Sequence, residues 1–144
     1  MKTAVVTDST AYIPKEIRDK WKIEMIPLNV IFDNEAYQEE VDITAAQFYQ
    51  QVKEKELPTT SQPPIGQFVE LFERLSKEYD AVISIHLSSG ISGTFAGAVT
   101  AGTMVEHIKV YPFDSETSCM PQGLYAIEAA KMALDGAMAE DIVS

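Results

Sequence analysis

Ser88-Ser89-Gly90-Ile91-Ser92-Gly93-Thr94 packs hydroxyls and glycines between an apolar run, Ala81 to Leu87, and a segment of small residues. That spacing predicts a buried strand, a tight turn and the start of a helix. A turn so placed exposes unpaired backbone N–H groups at the positive end of the helix dipole, and serine hydroxyls add further donors. Glycines let the backbone approach a ligand closely. The chemistry is that of a cradle for a small anion. Ser92 is equally suited to capping the helix that follows, and the pattern by itself leaves both roles open.

Thr59-Thr60-Ser61-Gln62-Pro63-Pro64 forms a second polar cluster, in which prolines brace a stretch of hydroxyls and one amide. On spacing alone its plainer reading is a polar loop leading into a helix. Asp8-Ser9-Thr10 and Asp114-Ser115 each close an apolar, β-branched run. These segments are the ones with chemistry to offer.

Standard catalytic patterns do not fit them. Glycines at 90, 93 and 97 do not make G-x-G-x-x-G, and no lysine follows as a phosphate loop requires. Gly90-Ile91-Ser92-Gly93 continues with Thr94 where a nucleophile elbow needs glycine. His86 falls in a strand and reads as a core or strand-end residue; His107 precedes a strand and reads as a surface residue. Cys119 has no neighbouring base or cation in sequence and reads as a structural or incidental thiol. No Cys/His cluster has zinc spacing, so no metal is expected. Met104, Met120, Met132 and Met138 are expected to fill the core.

The elements that must position these groups alternate. A strand is expected over Thr3 to Thr7, a helix from Pro14 to about Trp21, and a second strand over Ile23 to Phe32, with Pro27 pushing it toward an edge or bulge. Residues 33–43 are polar and acidic, as in a small hairpin or flap. Thr44 with Gln47 makes a capping box for a helix carrying Ala45, Phe48, Tyr49 and Val52 on one face. A loop spans Leu57 to Pro63, and Pro64 opens a helix whose stripe is Ile65, Phe68, Val69, Leu71, Phe72 and Leu75. Strands follow over Ala81 to Leu87 and Ile108 to Phe113, with a helix between them to about Val105. The last long helix, Gln122 to Met138, is expected to turn Leu124, Ile127 and Leu134 to the core, and residues 139–144 begin a further element.

Four strands alternating with helices imply right-handed crossovers: an α/β, Rossmann-like domain with a parallel sheet and helices on both faces. Ligands of such sheets bind beyond the carboxyl ends of the strands. Asp8-Ser9-Thr10, Ser88 to Gly93 and Asp114-Ser115 all converge there.

Composition narrows the function classes. The chain has 144 residues, 11 Lys+Arg and 22 Asp+Glu, a formal charge of −11. Scattered cations on an acidic chain argue against nucleic acid, and one cysteine excludes a disulfide framework. No stretch approaches the ~18–20 apolar residues of a membrane span, and the first residues are too short an apolar run for a signal segment. The expected compartment is the cytoplasm.

Asp8-Ser9-Thr10, Pro27-Leu28, Thr60-Ser61-Gln62-Pro63, Leu87 to Thr94 and Asp114-Ser115 occur in the order seen in the DegV family, which this chain resembles along essentially its whole length. The family comprises the fatty-acid-binding subunits of bacterial fatty acid kinases. The resemblance implies a long-chain fatty acid in a tunnel, its carboxylate held by Thr60 and Ser92, with Ser61, Ser89 and Gly93 of the same motifs around it. It implies no cofactor and no catalytic residue in this subunit. A separate kinase protein would phosphorylate the presented carboxylate to an acyl phosphate that feeds phospholipid synthesis. Family members are about twice this long, with further carboxylate partners, an Arg and a His, in the second half. Residues 1–144 are therefore expected to be the first half of a two-domain DegV-type fold. The acidic run 33–40 is expected either to be a solvated flap or to steer a basic docking face.

Two rivals stand beside that reading. One is an enzyme, a hydrolase or transferase acting on a small acidic metabolite, with Ser92 as nucleophile and Asp8 or Asp114 assisting. The other is a purely structural interaction domain, which leaves the polar convergence unexplained.

Overall fold

The computed structural model describes residues 2–11, 13–32, 35–38, 59–87, 89, 92–116 and 119–143. Strands β1 (Thr3–Asp8), β2 (Ile23–Ile26), β6 (Ala81–His86) and β7 (Lys109–Asp114) form one parallel sheet in the order β2-β1-β6-β7. Every residue of β1 and of β6 is buried, as the centre of a parallel sheet covered on both faces requires. Edge strand β7 is only half-buried.

Alternation along the strands builds two cores. Ala4, Val6 and Val82 face one side, where they meet Phe68, Phe72 and Leu75 of α2 (Ile65–Leu75) and Ala98 and Ala101 of α3 (Thr94–Met104). Val5, Ile83 and Ile85 face the other side, against Ala126, Ala129 and Ala130 of α4 (Cys119–Leu134) and Ala139 of α5 (Ala139–Val143). Helix α1 (Lys15–Trp21) lies next to α4, with Trp21 packed on that second core. The expected α/β architecture with helices on both faces is what the chain adopts.

The expected second strand is two strands. Pro27-Leu28 breaks it into β2 and β3 (Asn29–Phe32), since proline lacks the N–H a continuous ladder would use. Strand β3 leaves the parallel sheet and centres a second, antiparallel one, β4-β3-β5, with β4 (Glu35–Gln38) and β5 (Thr59–Ser61). Within the expected hairpin or flap of residues 33–43, Glu35–Gln38 is strand β4, paired back onto β3, and residues 33, 34 and 39–43 lie outside the described residues. The expected loop over Leu57 to Pro63 instead contains strand β5, paired to β3 through Thr60↔Val30 and Asn29↔Ser61. Three residues between prolines carry too short a pattern to announce a strand. The capping-box helix of residues 44–52 lies outside the described residues. Pro14 and Pro64 stand one residue before their helices, not within the first turn.

Helix α4 corrects a further expectation. Leu124 and Leu134 are about half exposed, and the buried positions are Gln122, Gly123, Ala126, Ala129 and Ala130. Small residues at that spacing let the helix lie close to the chain beneath it. A Cβ at Gly123 would stand 2.9 Å from the Ala11 carbonyl oxygen and 3.3 Å from Ile13 Cγ1. Three of the four methionines expected in the core do not fill it: Met104, Met132 and Met138 are exposed, and the side chain of Met120 lies outside those described.

Two helical glycines should therefore respond with opposite sign. Nothing lies within 4 Å of a Cβ at Gly66, so Gly66→Ala should raise stability by up to about 1 kcal/mol through helix propensity. Gly123→Ala gains the same propensity but drives a methyl into backbone, an overpacking cost of about 1–3 kcal/mol, so its net effect should be a loss. Urea denaturation of both variants checks the pair; a gain at Gly123 would show that α4 can lift from the sheet.

Candidate functional site

The carboxyl ends of β1, β6 and β7 are joined by buried hydrogen bonds. Asp8 ends β1 with a fully buried carboxylate. Its Oδ2 accepts the Leu87 N–H at 3.1 Å and faces His86 Nδ1 at 3.0 Å. Its Oδ1 accepts from Gln122 Nε2 at 3.0 Å, and the same amide nitrogen donates to Thr7 Oγ1 at 3.0 Å. Opposite an ionised carboxylate, which only accepts, Nδ1 of His86 carries a hydrogen, and Nε2 lies 2.5 Å from Ser84 Oγ. The His86 carbonyl takes both the N–H and the hydroxyl of Ser115, at 3.1 and 2.7 Å. Ser9 Oγ accepts the Leu28 N–H at 3.0 Å, tying the start of the antiparallel sheet to the end of β1.

Ser84, His86 and Asp8 thus stand in the order of a hydrolytic triad. All are fully buried within the sheet, so no substrate reaches the Ser84 hydroxyl. The line is a support beneath the turn. His86 is the buried strand-end residue expected, and His107 is exposed at the opposite, amino end of the sheet. Sequence pattern missed Ser84 and Gln122: a serine inside an apolar run and a glutamine at a helix start become informative only when the strands are registered.

Above that support sits the turn into α3. Ser92 Oγ contacts Thr94 Oγ1 at 2.9 Å and accepts the Thr94 N–H at 3.3 Å. It therefore satisfies one of the N–H groups that every helix start leaves without an intrahelical partner, while its own place at the positive end of α3 suits an anion. Gly93 caps the helix, and its carbonyl accepts the Gly97 N–H at 2.9 Å. Ser89 is turned to Asp114 instead: Asp114 Oδ1 accepts the N–H of Ser89 at 3.2 Å and of Glu116 at 3.0 Å. Thr60 and Ser61 lie on β5, and Gln62 just beyond it reaches Gly93, where a Cβ would collide with the Gln62 amide. The two polar blocks of the sequence therefore meet at the amino end of α3.

Asp114 titrates accordingly. The Ser89 hydroxyl holds its carboxyl below the usual carboxylate range; desolvation opposes it, and the Glu116 and Ser89 N–H groups add to the lowering. A depressed carboxylate stabilises the fold fully above its unfolded pKa, about 3.9, and loses that contribution as pH falls through the lower folded value. In an NMR titration the Asp114 carboxyl should have a midpoint below that of an unstructured aspartate, and the Ser89 amide should move with it. A midpoint at or above the unstructured value would mean the turn is not held by Asp114.

The enzyme reading needs a base beside Ser92. Among the described residues Ser92 is bonded to Thr94, while Asp8 is committed to His86, Leu87 and Gln122, and Asp114 to Ser89 and Glu116. Among the described residues that geometry places no base on Ser92. Among the described residues no group of acids, histidines and cysteines has metal-binding geometry, and no helix is long and apolar enough to cross a membrane.

Fold and site together define a parallel α/β domain with an antiparallel side sheet, whose strand ends gather hydroxyls and amides at one helix amino terminus. A family model described as "Uncharacterised protein, DegV family" matches residues 2–144, and the chain belongs to the DegV family. It is 61% identical to Protein DegV of Bacillus subtilis over 145 residues, covering 99% of this chain and 52% of that protein. It is 50% identical to a DegV domain-containing protein of Listeria monocytogenes, over 99% of this chain and 51% of that one. The chain spans about half the length of these curated relatives. Among solved structures it matches DegV, a fatty acid binding protein from Bacillus subtilis, with TM-score 0.96 and 59% identity over 99% of this chain and 51% of that chain. A DegV family protein from Thermus thermophilus, described by its fatty acid binding, matches with TM-score 0.91 and 29% identity over 99% and 51%.

Proposed function

We propose that this chain is the amino-terminal half of a cytoplasmic fatty-acid-binding protein that holds a long-chain fatty acid by its tail and orients its carboxylate with the hydroxyls of Thr60 and Ser92. Ser61, Ser89 and Gly93 belong to the same mouth, Ser89 by fixing the turn through Asp114. The carrying observation is the match, over 99% of this chain and 51% of that one, to the Bacillus subtilis fatty acid binding structure, joined to the meeting of β5 and the α3 turn at a helix amino terminus. The reading calls for no cofactor and no chemistry in this chain. A partner kinase would receive the carboxylate at the strand-end mouth and form the acyl phosphate for phospholipid synthesis. The acidic run 33–40, of which β4 (Glu35–Gln38) is described, would flank that mouth.

Each buried methylene contributes ~0.8 kcal/mol, so a sixteen-carbon tail offers on the order of 10 kcal/mol before ordering costs. Affinity then resides in the tail and orientation in the hydroxyls. Native mass spectrometry of the full-length natural protein should show an exchangeable fatty acid, and the Thr60→Ala/Ser92→Ala protein should hold it more weakly. A protein with no co-purifying or exchangeable fatty acid, or one whose Ser92 is labelled covalently by a fluorophosphonate, overturns the proposal.

A further inference from the structure

Gly93 has φ −80° and ψ 6°, a conformation open to any L-residue, so the backbone does not demand glycine there. Its neighbour does. A Cβ at 93 would meet the Gln62 amide head-on, Oε1 first and then the amide carbon and nitrogen. Gln62 is exposed, whereas Pro63 behind it is buried and anchors the segment.

We propose that Gln62 is a positioning residue: its amide rests on the bare backbone of Gly93 and sets how far β5 stands from the amino end of α3. The inference rests on the assignment of Thr60 and Ser92 to the carboxylate, and adds that a glycine–amide contact holds their two segments in register. Thr60 lies two residues upstream, roughly 6–7 Å along the strand, so once the amide loses its seat on Gly93 nothing at that contact holds the segment of Thr60 against a shift. Hydrogen bonds to a carboxylate operate within a few tenths of an ångström, and such a shift costs one of them. The amide is also neutral, with a donor and an acceptor. Glutamate in its place would put a negative charge beside the position assigned to the ligand's carboxylate.

The test uses the full-length natural protein, with hexadecanoic acid and hexadecanol as probes in a fluorescence displacement assay. Gly93→Ala and Gln62→Ala should each weaken binding of the acid on the order of tenfold, the loss of one charge-assisted hydrogen bond. The double variant should bind no more weakly than Gln62→Ala, because no amide remains for the new methyl to displace. Gln62→Glu should weaken the acid on the order of tenfold and leave the alcohol unchanged. Only the flexible end of Gln62 has to move for a Cβ at 93, so urea midpoints should stay at the wild-type value.

Additive losses in the double variant, equal losses for acid and alcohol in Gln62→Glu, or a fall in urea midpoint that tracks affinity would each overturn the positioning role. Wild-type protein that binds neither probe would overturn the fatty acid reading itself. Wild-type protein that binds the acid, with variants that bind it equally well, would overturn the contact alone.

Discussion

Asp8→Ala is expected to lower the free energy of unfolding by about 3–5 kcal/mol, a large share of the stability of a domain this size. The carboxylate it removes is fully buried and accepts from Leu87 N–H, His86 Nδ1 and Gln122 Nε2. Each donor left unpaired in the interior costs about 1–3 kcal/mol; Gln122 keeps Thr7 as a partner, so Leu87 and His86 bear most of the loss. Asp8→Asn keeps the shape but brings an NH2 group against donors on one side or the other, and should cost about 1–3 kcal/mol. Ser84→Ala removes one hydroxyl from His86 Nε2 and should cost less than either aspartate variant. Urea unfolding of the three proteins orders them. A loss below about 1 kcal/mol for Asp8→Ala would mean that water replaces the carboxylate and that the strand ends do not depend on it.

The functional weight of that network follows from where it ends. Leu87 N–H is the last backbone donor before the hydroxyl-rich turn, and Asp8 fixes it. His86 carbonyl fixes Ser115, next to the Asp114 that holds Ser89. Loosening the buried layer therefore loosens both flanks of the turn into α3, so, on the function proposed above, the Asp8 variants of the full-length protein should also hold fatty acid more weakly.

The parallel sheet was legible because its signals are long and local: β-branched runs that stop at turn residues, with helix patterns between them. The junction between β6 and α3 was legible for the same reason, since a buried apolar run ends before it and a run of small helix-forming residues begins after it. What stayed hidden depends on contacts distant in sequence. Strand β5 exists through pairing with β3, thirty positions away at Thr60↔Val30, and three residues carry no periodicity of their own. Gln62 over Gly93 and Gln122 beneath Asp8 join segments that only the fold brings together. On α4, Ile127 packs on the core as expected, whereas Leu124 and Leu134 were misjudged because leucine size was weighed above the spacing of the alanines. Close helix–sheet approach rewards small residues and leaves Leu124 and Leu134 outside. Thr60, as a hydroxyl donor, came from the family pattern and not from the spacing of the loop.

Phe68→Ala should cost about 3–5 kcal/mol, the sum of lost transfer free energy and an unfilled cavity. Its ring is fully buried, stands edge-on to His86 with centroids 5.2 Å apart at 90°, and packs on Phe72 at 5.8 Å. It also lies over Gly97, where a Cβ would be 3.6 Å from Cε2. One side chain of α2 thereby spaces α3 from the sheet and walls the imidazole of the buried network. Phe68→Leu keeps much of that volume and should cost less. The stronger expectation is spatial: in Phe68→Ala, hydrogen exchange should quicken at Leu87 and at Thr94 before it does at the amides of β1, because the ring supports the strand end and the helix start together. Uniform exchange across the sheet, or a cost near 1 kcal/mol for Phe68→Ala, would mean that α2 and α3 close over the gap and that the ring does not set the spacing of the turn.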